Sequence, residues 1–208
     1  MHLPVFLIIS MILVFLINVV SKRNQRDTEA EERAFREKEQ RANTTRRKDI
    51  SNLDFITIPP CLSSPSGLLS EEIAETEKQI AALRDQKIVN FTGITNTDLK
   101  LTYGAANIDA LSEYDNNYLK LVRLIVKYAK QLIDAGLTEK AKEILEFGVS
   151  VKTDVSANYT LLAKLYKDEG NNEKLREIRL IAEQLNSLTK AKLLRDLDDI
   201  LLGKTEEY

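Results

Sequence analysis

Cysteine and histidine are almost absent from this sequence, which excludes most of the familiar catalytic and metal-binding chemistry. The 208 residues include one Cys, one His and no Trp. A single Cys forms neither an intrachain disulfide framework nor a Cys-based zinc site. A single His excludes His-pair metal sites and the Ser-His-Asp and Cys-His mechanisms of nucleophilic catalysis. We therefore predict no catalytic residues, no metal site and no cofactor.

The motifs that bind nucleotides and phosphates are absent as well. The sequence contains no Gly-x-Gly-x-x-Gly, no P-loop and no nucleophile elbow. Asp196, Asp198 and Asp199 form an acidic cluster, but neighbouring carboxylates on a helix diverge and no Gly-bearing Ca²⁺ loop accompanies them. With 30 basic and 32 acidic residues the formal net charge is −2, which gives no reason to expect a nucleic acid as a partner. The sequence predicts a protein that is not an enzyme.

The N-terminal segment, residues 1–21, contains no Asp, Glu, Lys or Arg, and it includes a long apolar run. Residues 3–20 are broken only by Ser10 and Asn18, and as a helix they would extend about 27 Å, close to the ~30 Å of a bilayer's hydrocarbon core. The alternatives are a cleaved signal peptide, a buried core helix and a membrane anchor. No basic residue precedes the run, its end is a poor cleavage site, and it is apolar on every side. These features favour a transmembrane anchor over residues 1–21.

The charges that flank the apolar run predict its orientation. Lys22, Arg23 and Arg26 follow it at once, whereas no basic residue precedes it. By the positive-inside rule the N-terminus lies outside the cell membrane, and the remainder of this single-pass chain is cytoplasmic. Asn-x-Thr sequons would matter only if that remainder were lumenal or extracellular. The sequons lie at Asn43, Asn90 and Asn158.

Residues 22–49 are extremely polar and predict a charged helical stalk. They carry ten basic and seven acidic residues, and opposite charges recur four positions apart, an arrangement that stabilises an exposed helix by about 0.2–0.5 kcal/mol per pair. Phe35 and a few Ala are the only apolar residues, so there is no coiled-coil seam. The basic excess would also suit anionic lipid headgroups, although a solvated stalk is the simpler interpretation. The charge pairs are Glu29–Arg33, Glu32–Arg36, Arg33–Glu37 and Glu37–Arg41.

An extended or loop linker is predicted over residues 50–69, and a helical domain follows over residues 70–208. Within the linker, the β-favouring Ile56 and Ile58 precede a Pro pair that ends the apolar stretch. A single short stretch cannot form a sheet, so we expect it to lie extended over the helices that follow.

Capping signals mark two helices at the start of the helical domain. Ser70 is the predicted N-cap of a helix that continues to about Gln86, with acidic residues in its first turn. Thr97 is the predicted cap of a short helix over Asp98–Tyr103. We expect that helix to stop at Gly104.

A 34-residue period runs through the C-terminal half of the chain. It separates Tyr128-Ala129 from Leu162-Ala163, and the same offset separates Gly136 from Gly170. Paired amphipathic helices with this period are typical of tetratricopeptide (TPR) repeats, and the segment resembles that family. Small residues let the paired helices approach closely, and each Gly allows a positive φ in the turn. The matching positions are Ile125, Tyr128-Ala129, Leu132, Gly136, Ala141, Leu145 and Gly148, then Tyr159, Leu162-Ala163, Tyr166, Gly170 and Ala182.

The predicted fold is therefore all-α: a transmembrane helix, a polar stalk and a TPR-like array of antiparallel helix hairpins with a C-terminal capping helix. The repeats occupy about residues 122–189, and the capping helix about 187–202. Three positions depart from the family pattern, because Thr153 replaces its closing Pro, Leu175 an Ala and Arg179 an apolar residue. The expected apolar face of the capping helix is Leu188, Ala191, Leu193, Leu194, Leu197 and Leu201.

The resemblance implies that the first helix of each repeat lines a groove for a peptide or a partner helix. Under this alignment the basic residues of the groove are Arg123, Lys127, Lys130, Lys164 and Lys167. A basic row of this kind would bind an acidic segment or a C-terminal carboxylate. The Asn residues of the family's carboxylate clamp are missing, so we expect no clamp of that type. A solvated face without a ligand is the alternative.

The chain as a whole also looks like single-pass bacterial membrane proteins with no assigned activity. Our leading hypothesis is a membrane-anchored scaffold or adaptor whose TPR-like cytoplasmic domain binds a protein or an acidic peptide segment. The alternative is a structural, self-associating or lipid-associated membrane protein without a peptide groove, and homo-oligomerisation is left open. A third hypothesis places the helical domain outside the cytoplasm, behind an uncleaved signal anchor.

Overall fold

The computed structural model describes residues 21–22, 28–63 and 70–204, and the regular elements within these ranges are helices. The all-α prediction is therefore confirmed for the described residues. Two short 3-10 helices, Pro60–Ser63 and Ala105–Asn107, lie between the α-helices. The α-helices are α1 (28–44), α2 (Glu71–Leu83), α3 (Asn96–Tyr103), α4 (Ile108–Asp134), α5 (Thr138–Ser150), α6 (Ser156–Asp168), α7 (Asn172–Glu183) and α8 (Lys190–Leu202).

A membrane-spanning helix was expected at residues 3–20, which lie outside the described residues. Within the described ranges, no helix combines the length and the apolar character that crossing a bilayer requires. The transmembrane anchor and the orientation inferred from its flanks stay predictions.

The chain divides into two compact units, and the first of them is drawn from Met1–Lys48 and Thr95–Ile108. Polar side chains join its helices α1 and α3. Lys38 Nζ lies 2.7 Å from a carboxylate oxygen of Asp98, and Lys100 Nζ lies 3.7 Å from one of Glu39. The Thr97 hydroxyl donates a hydrogen bond to Glu39. Because Lys38 and then Thr95 stabilise its charged form, the pKa of Asp98 lies below its ordinary value.

Two of the four charge pairs expected along α1 are present. Arg33 and Arg36 approach Glu29 and Glu32 to 3.5 Å in each case, on strongly exposed side chains. The remaining two expected pairs, both of which involve Glu37, are not formed in this described helix. Exposed pairs of this kind contribute little to stability.

The segment that follows α1 is fastened to the loop between α3 and α4 within the same unit. Lys48 N donates to Tyr103 O at 2.9 Å, and Ala105 N donates to Thr45 O at 3.2 Å. Asn107 is buried, and its amide group donates to two backbone carbonyls and accepts from Arg47 Nε at 3.0 Å. Gly104 has φ +93°, and a Cβ there would lie 2.3 Å from the carbonyl oxygen of Arg46. We name this arrangement, residues 45–48 with 103–107, the clasp.

The capping predictions are partly corrected. Ser70 accepts a hydrogen bond from Ile73 N at 3.1 Å, so the predicted N-cap of α2 is confirmed. The cap of α3 is Thr95 rather than Thr97, because the Thr95 hydroxyl accepts from Asp98 N while the Thr97 side chain is buried. α3 ends at Gly104 as expected, whereas α2 ends at Leu83 rather than at about Gln86.

The second unit is drawn from Asp49–Ile94 and Asp109–Tyr208, and it contains one continuous apolar core. The extended segment before α2 contributes to this core. Ile56 N donates to Ile88 O at 2.9 Å, and the Ile58 side chain is buried. The segment therefore packs against other parts of the unit, as its apolar residues suggested.

The arrangement of helices α4 to α8 follows the period seen in the sequence. Helices α4, α6 and α8 end at Asp134, Asp168 and Leu202, which are evenly spaced at that period. The same pair of backbone bonds closes all three helices, with a glycine of positive φ in the turn. Three positions on each helix are buried at this offset, and apolar burial of this kind is the main stabilising term of a helical stack. These positions are Ile125, Tyr159 and Leu193; Ala129, Ala163 and Leu197; Leu132, Tyr166 and Ile200.

The start of α8 differs from the expectation. The helix begins at Lys190 rather than at about residue 187, and no side chain caps it. Leu188 precedes the helix and is fully exposed, so its assignment to the apolar face is wrong. The buried face follows the 3.6-residue period from Leu193, and Ala191 lies on the opposite, exposed side.

The three departures from the repeat pattern each have a local role. Arg179 on α7 reaches α8, where its guanidinium contacts both carboxylate oxygens of Asp198. Thr153 is buried, and its carbonyl accepts from the Tyr159 hydroxyl at 2.9 Å. Leu175 is fully buried in the core. A bidentate ion pair thus joins α7 to α8 at the position where the family pattern expects an apolar contact.

Candidate protein-binding surface

Helices α4, α6 and α8 each present a row of residues that the rest of the unit does not fully bury. The members of a row are spaced three or four positions apart, so they share one side of the helix. All of them are half-buried or exposed. We name these rows together the outer flank. Its residues are Arg123, Val126, Lys130, Ile133 and Asp134 on α4; Ala157, Thr160, Lys164, Lys167 and Asp168 on α6; and Ala191, Leu194, Asp198, Leu201 and Leu202 on α8.

Lys130 and Lys164 occupy equivalent places on the outer flank, one repeat period apart. Both side chains are exposed, and so is that of Arg123 at the N-terminal end of the row on α4. In the described part of the chain, none of these three cations takes part in an ion pair or a side-chain hydrogen bond. The structure therefore leaves these three positive charges of the predicted groove open to solvent, and the Lys127 side chain is exposed as well.

Lys167 is on the outer flank, but its ammonium group is already engaged. Nζ donates to the carbonyl oxygen of Leu201 at 2.9 Å, in the last turn of α8. A cation at a helix C-terminus satisfies an otherwise unpaired carbonyl and interacts favourably with the helix dipole. Lys167 thus joins the ends of α6 and α8, and it shows where their two rows adjoin.

Lys127 is four positions after Arg123 and three before Lys130, so it lies on the same side of α4, at the edge that borders α2. It lines a depression of about 640 Å³ between α4 and α2 together with Gln131 and three acidic residues of α2. These acidic residues are Glu71, Glu72 and Glu75. Lys127 therefore lies beside both the outer flank and the acidic residues of α2.

A buried polar cluster fixes α2 to α4 and α5, and the sequence-based prediction missed it. The Tyr128 hydroxyl donates to Glu77, a carboxylate that is only 6% exposed. Lys140 Nζ lies 3.5 Å from the same carboxylate and 5.4 Å from the centre of the Tyr128 ring. A signal was available, because Glu77 lies between Ile73 and Ile80 at helical spacing, on the apolar face of α2.

A second polar cluster supports the loop between α5 and α6. Asn90 donates to the Tyr118 hydroxyl at 2.9 Å and to the carbonyls of Val151 and Lys152. Burial raises the pKa of both Tyr118 and Tyr159 far above the ordinary value, so their hydroxyls remain protonated donors at any physiological pH. Both side chains are fully buried in the core.

The acidic cluster near the C-terminus is divided between two cations. Asp198 pairs with Arg179, and Asp196 lies 3.1 Å from Lys192 Nζ. In the described ranges, no group of three His, Cys, Asp or Glu side chains is arranged to hold a metal ion. Of the three sequons, Asn158 is fully buried, so the folded domain has no room for a glycan there.

No protein-family model matches this chain, and neither the curated proteins nor the solved structures include a significant match. The resemblance of the residue pattern to TPR repeats stays a prediction from the sequence.

Proposed function

We propose that this protein is a membrane-anchored scaffold or adaptor whose TPR-like helical domain binds an acidic segment of a partner protein on the outer flank. The observation that carries the proposal is the pair of exposed, unpaired lysines, Lys130 and Lys164, at equivalent places on α4 and α6. Residues 3–20 anchor the chain with the N-terminus outside, so that the helical domain is cytoplasmic. The chain performs no catalysis in this account.

The affinity expected from these cations is modest. An exposed ion pair contributes about 0.2–1 kcal/mol, so two or three of them do not hold a partner tightly. Membrane anchoring compensates for this weakness, because a tethered domain meets other membrane-bound proteins at a high effective concentration. Electrostatic attraction would mainly set the association rate and the choice of an acidic partner.

The competing function is that of a structural, self-associating or lipid-associated protein that uses its anchor and stalk. Its support is the basic cluster Lys22, Arg23 and Arg26, which suits anionic headgroups beside a membrane span. In that case the cations of the outer flank are simply solvated.

A charge-reversal experiment separates the two functions. The double variant Lys130→Glu/Lys164→Glu is compared with wild type for the proteins that co-purify from solubilised native membranes. The matched control Lys78→Glu/Arg176→Glu makes the same charge change at exposed positions outside the outer flank. We expect the first variant, and not the control, to lose one defined acidic partner. Equal recovery of every partner by all three proteins would exclude the outer flank as the binding surface.

The proposed orientation has its own test. Protease added to intact cells should leave the helical domain undigested, because the domain lies in the cytoplasm. Digestion from outside would instead place the domain beyond the membrane, in agreement with the third hypothesis.

A further inference from the structure

The outer flank changes its chemical character from α4 to α8. Its exposed cations are on α4 and α6, where Arg123, Lys130 and Lys164 are unpaired in the described structure. On α8 the equivalent positions hold mainly apolar residues. Leu202 is 65% exposed, and the neighbouring Leu194 and Leu201 are half-buried. These leucines leave part of their apolar surface in water, which is unfavourable unless another group covers it.

The opposite side of α8 shows that the helix is not apolar throughout. Three positions that are buried in α6, namely Asn158, Leu162 and Leu165, correspond one repeat period later to charged residues of α8. These charged residues are Lys192, Asp196 and Asp199. They lie on the side of α8 that no described helix covers, at positions that are buried in α6. Polar residues on such an uncovered side keep the end of a helical stack soluble. The leucines remain only on the core side and on the outer flank.

The single acidic residue among these leucines does not make this end of the flank acidic. Asp198 contacts Arg179 through both carboxylate oxygens, so its charge is compensated within the unit. Arg179 holds the pKa of Asp198 below its ordinary value, which keeps the pair ionised at neutral pH. The bond from Lys167 to Leu201 O shows that the rows of α6 and α8 adjoin.

Resting on the proposed function, we infer that the partner segment is a bipartite peptide, with an acidic run next to a large apolar side chain. The acidic run lies against the cations of α4 and α6, and the apolar side chain lies against Leu194, Leu201 and Leu202 of α8. The two halves of the flank thereby fix the direction in which the segment binds. Charge complementarity at one end and exposed leucine at the other identify this occupant.

The inference is tested by fluorescence anisotropy with two synthetic peptides and the full chain in detergent micelles. One peptide has a run of Glu followed by Leu and Ile, and the second has Ser in place of those apolar residues. We expect the bipartite peptide to bind wild type about tenfold more tightly, as the burial of one large aliphatic side chain allows. Leu202→Ser should abolish that difference, whereas Leu180→Ser, at another exposed leucine on α7, should preserve it.

The outcomes distinguish this inference from the function on which it depends. If both peptides bind wild type equally, or if Leu202→Ser leaves the difference intact, the apolar end is wrong while the acidic site stands. If neither peptide binds, or if Lys130→Glu/Lys164→Glu changes neither affinity, the proposed function fails and the inference fails with it. Leu202 is at the exposed end of α8, so we expect its replacement to leave thermal unfolding unchanged.

Discussion

The two units of this protein are stabilised in different ways. The second unit has a continuous core of buried Leu, Ile, Val, Ala and Tyr side chains, to which α4 to α8 contribute at regular intervals. The first unit buries only Ala42 and Leu99 among its described apolar side chains, and it is joined by ion pairs, a buried amide and backbone bonds. Apolar burial is non-directional and additive with area, whereas polar joints depend on the geometry of a few atoms. We therefore expect the two units to respond to different perturbations.

The largest effect in the second unit is expected from the addition of a single methyl group at Gly148. Gly148 lies against the fully buried Asn158, and a Cβ there would be 2.2 Å from Asn158 Oδ1. We expect Gly148→Ala to lower the free energy of unfolding by about 3 kcal/mol, because the amide has no free space into which to move. Urea denaturation measures the change.

The control for that prediction is a double-mutant cycle with Asn158→Ala. The added methyl should be tolerated once the amide is gone, so the two effects should couple by at least about 1 kcal/mol. If the two effects are strictly additive, Gly148 is not required for the close approach of α5 and α6.

The strongest test of the first unit is Gly104→Ala in the clasp. The residue combines φ +93° with close contact to the backbone of Arg46, so an L side chain should cost about 2 kcal/mol there. We expect hydrogen exchange of the Lys48 and Ala105 amides to accelerate, while amides of α6 such as that of Ala163 keep their protection. Equal loss of protection in both units would contradict the claim that they respond to different perturbations, because the units would then unfold together.

The variant Arg179→Gln tests whether an ion pair contributes to the stability of the second unit. The bidentate pair with Asp198 is partly exposed, so its loss should lower the free energy of unfolding by only about 1 kcal/mol at pH 7. The folded pKa of Asp198 is depressed, so the pair's contribution is present above the unfolded value, ~3.9, and is lost as pH falls through the folded value. The difference between wild type and variant should therefore decrease as pH falls below ~3.9 and vanish once Asp198 is protonated in the folded state. A difference that persists there would assign the effect to packing rather than to charge.

The smallest expected effect is a weakening of the contact between α1 and α3 at low pH. The pKa of Asp98 is depressed chiefly by Lys38, so the contact is favoured above the ordinary carboxyl pKa and weakens as pH falls through the depressed value. Amide exchange of α3 between pH 6 and pH 3 should show this loosening. Asp98→Asn should reduce the pH response of α3 exchange, after correction for intrinsic rates. An unchanged pH response in that variant would assign the loosening to another group.

The predictability of each unit from sequence follows from the same difference. In the second unit, apolar periodicity predicts the helices from the sequence, and Gly136 and Gly170 mark the turns of the hairpins. The pairing of α1 with α3 has no such signal, because it joins Lys38 and Glu39 to partners that are distant in the sequence, Asp98 and Lys100. Charged residues on a helix look the same in a sequence whether they face water or a polar partner.

The candidate surface was predictable only in outline. The repeat alignment identified Lys130 and Lys164 as equivalent cations, and the structure leaves both exposed. The alignment did not predict that Lys167 contacts α8 or that Lys127 borders a depression lined by acidic residues of α2, because both features depend on packing between helices. Arg179 departs from the repeat pattern in the sequence, and its partner Asp198 lies on the next helix, α8.

Site-specific photocrosslinking in native membranes tests the central claim most directly. A photoreactive residue is placed at position 130 or 164 of the full chain, and at position 176 as the control outside the outer flank. We predict that 130 and 164 give adducts with the same acidic protein, that each adduct is lost when the other lysine is reversed to Glu, and that 176 gives none. Adducts only with lipid or with a second copy of this chain, or no adduct at 130 and 164, would contradict a scaffold that acts through this surface.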